Sequence, residues 1–432
     1  MLRKFSTRKL KTTQTTVSSR PGECKNCCNI HVSSQMSDPV ADKFLSSILK
    51  TRLILRKFST VAQQEAKSNA MQNSKSLSTK ADEDMLNHVP VMAQEILSLL
   101  QPKNGQVIVD MTFGAGGHAE KILKAAPDIT YFASDRDPVA FRKALAMASS
   151  VGSGQIIPLL SRFSEVPAHL QHHGITLGSV DAFLFDLGAS SMQFDSAQRG
   201  FSLSKDGPLD MRMDGERFPD SPTAADVVNN LDPADLANIL KKYGEEKKAR
   251  QIAHAIVDAR YAFGNFTRTK QLAEVLSSVF ESGAFRQDKL HRQAHVATKT
   301  FQALRIFVND ELNELHAGLL VAARYLRPGS SVCAALAFHS LEDRIIKRHF
   351  HGLDMDCAGN QTVRDHFRNA SLSFNVGEIQ KQILQGKAWQ PLSKKVACPT
   401  EVECLVNPRA RSAKLRAAVR AAGEKDLRDK LL

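Results

Sequence analysis

The chain has 432 residues, with 58 Lys and Arg against 45 Asp and Glu, for a formal net charge of +13. Residues 1–80 hold 15 of those bases and only 4 acids, leaving 43 against 41 in the remainder, so global charge is poor evidence for nucleic-acid binding by the body. No run approaches ~18 apolar residues, which excludes a membrane-spanning helix, and the body is long enough for one large core plus a second unit.

The first 22 residues carry Arg3, Lys4, Arg8, Lys9, Lys11 and Arg20 among many Ser and Thr with no acid, the composition of a mitochondrial transit segment. A second acid-free stretch, Leu45 to Ala62, sets Leu45, Ile48, Leu49 and Leu53 at near-helical spacing beside Lys50, Arg56 and Lys57. Residues 1–80 are therefore expected to be a targeting leader, cleaved before about Asp84 on import. The hexapeptide LRKFST occurs at Leu2 and again at Leu55 without a physical reason. Cys24, Cys27 and Cys28 with His31 superficially resemble a zinc site, but they lie in the leader and are read as incidental thiols. No metal is expected.

The body opens with VIVDMTFGAGGH from Val107, an apolar strand running into Gly114, Gly116 and Gly117 and then a helix beginning near His118. Such a turn presents backbone N–H groups and a helix N-terminus to a nucleotide-like ligand. The next strand, 129–133, leads to Asp135, where a carboxylate can hold two ribose hydroxyls. On spacing alone two cofactors fit. Gly114, Gly116 and Ala119 match the dinucleotide fingerprint of an oxidoreductase, and the same features suit S-adenosylmethionine. Pro138 reads as the first residue of a helix behind an Asp137 cap. A third strand over 155–160 precedes Phe163, and a fourth over 180–185 delivers Asp186 and the small residues Gly188, Ala189, Ser190 and Ser191. Ligands of open α/β sheets lie beyond the carboxyl ends of the strands, so Asp135 and Asp186 should face one crevice. An acid followed by small residues suits a methyl acceptor better than a hydride acceptor.

Between Gln193 and about Arg292 no strand is expected. Helices are predicted over 222–230, 233–243, 245–262 and 267–281, with Asp232-Pro233 as a cap-and-start pair. The sheet resumes through one long amphipathic helix from Thr298 to Leu326, the turn Arg327-Pro328-Gly329 and a strand from Ser331 to Phe338. Ser340 and Asp343 are read as a capping box opening the following helix. A short strand is expected between Cys398 and Cys404. Lys394, Lys395, Arg409, Arg411, Lys414, Arg416 and Arg420 form a basic C-terminal cluster, either an RNA-facing wall or a solvated helix face.

Beyond these local readings, the body resembles the bacterial RsmH/MraW rRNA (cytosine-N4)-methyltransferases and their mitochondrial relatives. The resemblance rests on HVPVMAQEIL from His88, VDMTFGAGGHAEKIL, SDRDP and FDLGASSMQFD, then RGFSLSKDGPLDMRMD from Arg199 and YGEEKKARQIAHAI from Tyr243. It continues through TKTFQALRIFVNDELNEL from Thr298, FHSLEDRIIKRHF from Phe338 and NPRARSAKLR from Asn407. It covers nearly everything after Asp84 in family order.

The resemblance implies an α/β fold: a Rossmann-like class I S-adenosylmethionine-dependent methyltransferase sheet with an inserted all-helical domain. The parts would be 81–192, a helical substrate domain over 193–292, and 293–432. It implies S-adenosylmethionine as cofactor, with Gly116, Gly117 and His118 lining its methionine part, Asp135 on the ribose and Phe163 against adenine. Asp186 and Gln193 would close the pocket. The implied activity is N4-methylation of a cytidine in the decoding region of small-subunit rRNA, in the mitochondrial matrix, in support of ribosome assembly. The other readings are an rRNA-binding assembly factor without catalysis, or a dinucleotide oxidoreductase.

Asp186-Leu187-Gly188 stands where many amine methyltransferases carry Asp/Asn-Pro-Pro-aromatic. The base-stacking partner must therefore come from elsewhere, with Phe194, Phe201 or His339 as candidates. Asp186 and His339 are the expected catalytic residues.

Overall fold

The computed structural model describes residues 90–151, 155–280, 285–287, 293–352 and 388–421. The leader, its cysteines and the repeated hexapeptide lie outside them. Helix α1 (Ala93–Leu100) leads into β1 (Val107–Asp110), α2 (Gly117–Ala125), β2 (Thr130–Asp135), α3 (Pro138–Val151), β3 (Ile156–Leu160), α4 (Val166–His172) and β4 (Ala182–Asp186). After α5 (Ser191–Asp195) come α6 (Ala224–Asn230), α7 (Pro233–Gly244), α8 (Ala249–Phe263) and α9 (Thr269–Ser278). A hairpin of β5 (Phe285–Gln287) and β6 (Gln293–His295), then α10 (Thr298–Asn309) and α11 (Glu311–Tyr325), return the chain to the sheet. It is completed by β7 (Val332–Ala337), α12 (Ser340–His351), β8 (Trp389–Pro391), α13 (Glu401–Val406) and β9 (Lys414–Arg420).

The main sheet runs β3-β2-β1-β4-β7-β9-β8. Its first five strands are parallel, and β9 and β8 close it antiparallel. Alternation along each parallel strand feeds two separate cores. Val109, Phe132, Phe183, Phe185, Cys333 and Ala335 pack on one face, and Ile108, Tyr131, Ala133, Leu184, Ala334 and Leu336 on the other. Successive side chains of a strand point to opposite faces, so a sheet covered on both sides needs unbroken apolar strands, as these are. Because the five strands are parallel, all their carboxyl ends lie along one edge. The order reverses between β1 and β4, which opens the crevice there.

A third core joins α6 to α9. Leu236, Leu240, Ile252, Ile256, Leu272 and Leu276 fill it, together with Phe301, Ala303 and Leu304 of α10. The helical packing thus runs on into α10. The expected caps hold: Asp232 Oδ1 accepts the N–H of Asp235 at 2.8 Å, and Asp137 Oδ1 that of Val139 at 2.9 Å.

Several expectations are corrected. The helix predicted from Thr298 to Leu326 is two helices, because Asp310 adopts a left-handed conformation (φ +49°) that ends α10 and starts α11. The β5–β6 hairpin places a strand inside the stretch read as helical only. The cap of α12 is shifted by one residue: the His339 side chain accepts the N–H of Glu342, while Ser340 Oγ bonds Glu245 at 2.7 Å. Cys404 lies in α13 rather than beside a strand. The basic cluster is split: Arg409 and Arg411 stand exposed on a short helical turn, and the rest is no helix face. Lys414, Arg416 and Arg420 belong to β9, and the first two pair with Asp343 at 3.1 and 2.6 Å. Lys414 is therefore committed to the fold and leaves the set of free RNA contacts.

Candidate active site

The carboxyl ends of β1, β2 and β4 open into one cavity of about 690 Å³. At the end of β1 the buried Asp110 carboxylate accepts Tyr131 Oη at 2.7 Å and the Thr112 N–H at 3.0 Å. Burial pushes Asp110 up to about 6 against those bonds. Thr112 Oγ1 in turn accepts the N–H of Asp186 at 2.6 Å, tying the β1 loop to the β4 end. Gly116, the cap of α2, has φ +85°, and a Cβ there would stand 2.7 Å from Met147 Cε and 2.8 Å from Phe113 Cζ. The positive φ strains any residue with a Cβ, so the turn calls for glycine there. Gly117 and His118 follow it along the cavity wall.

Asp135 stands at the end of β2 in the same cavity. Its Oδ2 accepts the Gly114 N–H at 2.8 Å and its Oδ1 the Asp137 N–H at 2.8 Å. Burial outweighs both bonds and drives the carboxyl up to about 7. Phe163, just past β3, lines the cavity and also packs edge-on against Phe185, with ring centroids 5.6 Å apart. It thus serves both as core and as cavity wall. Gln193 is buried and lines the cavity, but its amide is spoken for: Oε1 accepts the Ser190 N–H at 3.0 Å and Nε2 donates to Asp137 Oδ2 at 2.8 Å. It shapes the loop after β4.

Asp186 Oδ2 lies 3.6 Å from His118 Nε2. Asp186 Oδ1 and His118 Nε2 are both buried polar atoms without a hydrogen bond. Orphaned buried groups are costly, and each calls for a partner such as a water, an ion or a ligand atom. Of the stacking candidates, Phe194 lines the cavity, whereas Phe201 is buried in the helical core and is removed from consideration. The His339 ring turns to Glu342, with Nε2 2.9 Å from its Oε1, and the cavity is lined by Phe338 and Glu342 instead. The geometry thus joins Gly117, His118, Asp135, Phe163, Asp186 and Gln193 on one cavity, while Gly116 shapes the turn without lining it and His339 stands behind Glu342.

Three features escaped the sequence reading. Asp137, read only as a cap, also pairs with Arg199 at 2.8 Å. Asp214 holds Arg136 and Arg162 just past β2 and β3. Arg305 forks onto Glu311 at 2.8 and 2.9 Å in the cavity wall. An arginine inside the apolar run Leu304-Arg305-Ile306-Phe307 is the one available signal of a buried ion pair. Glu311, His339 and Glu342 present ligand atoms within 4.8 Å of one another, with Arg305 forked onto Glu311 and His339 Nε2 2.9 Å from Glu342 Oε1 but without a hydrogen bond.

A largely parallel sheet covered on both faces, with a glycine turn after β1 and carboxylates ending β2 and β4, defines a Rossmann-like nucleoside-binding domain. Comparison with known proteins makes it a class I methyltransferase. The model of the MraW methylase family matches residues 85–421. The chain is 51% identical over 338 residues to the 12S rRNA N(4)-cytidine methyltransferase METTL15 of Bos taurus, covering 77% of this chain and 82% of that one. It is 46% identical to a probable methyltransferase-like protein 15 homolog of Drosophila melanogaster, over 77% of this chain and 92% of the relative. It is also 44% identical to the ribosomal RNA small subunit methyltransferase H of Parvibaculum lavamentivorans, over 78% and 90% respectively. The chain belongs to the MraW methylase family.

Proposed function

We propose that this protein transfers the methyl group of S-adenosylmethionine to N4 of a cytidine in the small-subunit rRNA of mitochondria. The observation that carries the reading is the orphaned Asp186 Oδ1, buried at the end of β4 beside the cavity that Gly114, Gly117 and Asp135 line. S-adenosylmethionine fits these residues: Gly116 to His118 would lie along its methionine part, Asp135 would take the ribose hydroxyls and Phe163 would face adenine. When bound, it supplies an electrophilic methyl on sulfur.

Cytosine N4 is a poor nucleophile because its lone pair is delocalised into the ring. Asp186 answers that by accepting an N4–H, returning electron density to nitrogen, while the cavity walls hold the amine in line with the methyl. Phe194 is the aromatic surface available for the extruded base. Lys205 and Arg409, both at the cavity rim and both reaching Asp195, would meet the RNA backbone, with the helices after α5 as the opposite wall. The composition of residues 1–80 supports import into the matrix. Among the described residues, no helix is long and apolar enough to cross a membrane.

Incubating the protein with labelled S-adenosylmethionine and a small-subunit rRNA transcript, followed by digestion to nucleosides, tests the reading. The label should co-migrate with N4-methylcytidine, and label on another nucleoside would contradict the choice of acceptor.

Cofactor affinity should also depend on pH. With Asp135 near 7, the ionised acceptor is almost complete at pH 8 and scarce at pH 6, so the Kd should rise about tenfold between them. Calorimetry at the two pH values checks this, and Asp135→Asn should flatten the dependence.

A further inference from the structure

The cavity is wider than a cofactor cradle needs. Its Asp135 and Phe163 lie at the ends of β2 and β3, whereas a charged cluster of different origin lines the side reached from β4 and β7. Arg305, from α10, is its centre. Nε and Nη2 are both spent on the Glu311 carboxylate, at 2.8 and 2.9 Å, and Nη1 carries no hydrogen bond to any described residue. A Cβ built on Gly188 would lie 3.8 Å from Nη2 and 3.9 Å from Nη1, so the guanidinium sits directly against the loop that follows Asp186. Glycine suits position 188 because its backbone is left-handed, at φ +92°. Glu342, in the first turn of α12 after β7, is the second acid acting on the guanidinium. Burial alone would lower the Arg305 pKa, but Glu311 and Glu342 outweigh it and keep the group charged.

We infer that Arg305 reads the acceptor edge of the target base, donating from Nη1 to N3 or O2 of the cytosine whose N4–H is held by Asp186. The inference rests on the cytidine reading above. Its chemical logic is a matched pair of opposite polarity. Cytosine presents a donor at N4 and acceptors at N3 and O2, and the wall offers an acceptor at Asp186 and a donor at Arg305. Uracil inverts two of the three positions: its O4 acceptor is rejected at Asp186 in either case, and its N3–H is rejected at the guanidinium as well where Arg305 reads N3. The two carboxylates serve a second purpose. An uncompensated cation on the ring acceptors would withdraw density from N4 and slow its attack, whereas a guanidinium already shared with Glu311 and Glu342 withdraws less. Holding two of its nitrogens on Glu311 also fixes the direction of the third before the base arrives.

The test is a cycle of one protein change and one substrate change. The full chain and its Arg305→Lys variant are given RNA carrying cytidine, 3-deazacytidine (no N3 acceptor) or 2-thiocytidine (a weakened O2 acceptor) at the target position. The readout is kcat/KM for methyl transfer. In the wild type, one of the analogues should lose about tenfold or more, the size of a hydrogen bond to a charged donor. In Arg305→Lys the same analogue should be penalised several-fold less, because the donor is no longer aimed.

A purely structural role for Arg305 lowers all three rates together and leaves their ratios unchanged, and that result overturns the inference. If Arg305→Lys does not fold, Glu311→Gln loosens the same fork and must shrink the same ratio. Failure of the wild type to methylate the cytidine RNA at all overturns the cytidine reading as well. Equal ratios in an active enzyme overturn only the role of Arg305.

Discussion

Replacing Asp186 with Ala should lower kcat for methyl transfer by about 10²–10⁴-fold, the range of a positioned general base or hydrogen-bond acceptor. The fold should not suffer. Asp186 Oδ1 has no partner, and its Oδ2 has only His118 Nε2 at 3.6 Å. A buried acceptor left unpaired costs about 1–3 kcal/mol, so its removal should leave thermal stability unchanged or slightly raised. What fixes the carboxylate is backbone, through the Asp186 N–H held by Thr112 Oγ1 at 2.6 Å, and that bond survives the substitution. Single-turnover kinetics with a melting curve on the same sample separates the two effects. A variant with the wild-type rate removes Asp186 from the chemistry, and one that melts early shows the carboxylate to be structural.

Asp214→Ala should have the opposite profile, a large loss of stability. The Asp214 side chain is almost fully buried, and it accepts from Arg162 Nη2 at 3.0 Å and from Arg136 Nε at 3.2 Å, with Arg217 Nη1 at 3.8 Å. Removing the one carboxylate strands these guanidinium groups together. Breaking a buried pair typically costs about 3–5 kcal/mol, with the upper end tempered here because the arginines keep some solvent contact. Arg217 also retains Glu165 at 2.7 Å, and Arg136 retains the Asn309 carbonyl at 2.8 Å.

Burial would raise the Asp214 pKa, but Arg136 and Arg162 more than offset it and hold it below the usual carboxylate range. The stabilisation is therefore present above the unfolded-state carboxylate pKa and is lost as pH falls through the lower native value. Denaturant unfolding at neutral pH, compared with an Asp214→Asn variant, measures it. A difference from wild type within about 0.5 kcal/mol would show that the cluster contributes nothing net.

The contrast between these two acids marks what can be read from sequence. Asp186 was legible because its signal is local: an apolar strand ending in an acid and small residues. The Gly114–Gly117 turn and Asp135 are legible for the same reason. Asp214 has no such context, since its partners are Arg136 and Arg162, brought near only by the sheet.

Arg305 fails similarly. Its partner Glu311 lies across a helix break that the apolar periodicity of Thr298 to Leu326 conceals, since a left-handed Asp310 breaks no hydrophobic pattern. In β9, Lys414, Arg416 and Arg420 alternate with Leu415, Ala417 and Val419, which reads as a charged surface until β7 supplies the pairing edge. The cap of α12 slipped by one residue because Ser340 and Asp343 satisfy the capping pattern as well as His339 and Glu342 do. Only Glu245, the residue that ends α7, draws Ser340 away.

The most direct test of the central claim is nucleoside mass spectrometry of mitochondrial small-subunit rRNA from cells lacking this protein. N4-methylcytidine should disappear, return with the wild-type chain, and stay absent with Asp186→Ala expressed at the same level. Persistence of N4-methylcytidine in the cells without the protein, with another modification lost in its place, would contradict the account.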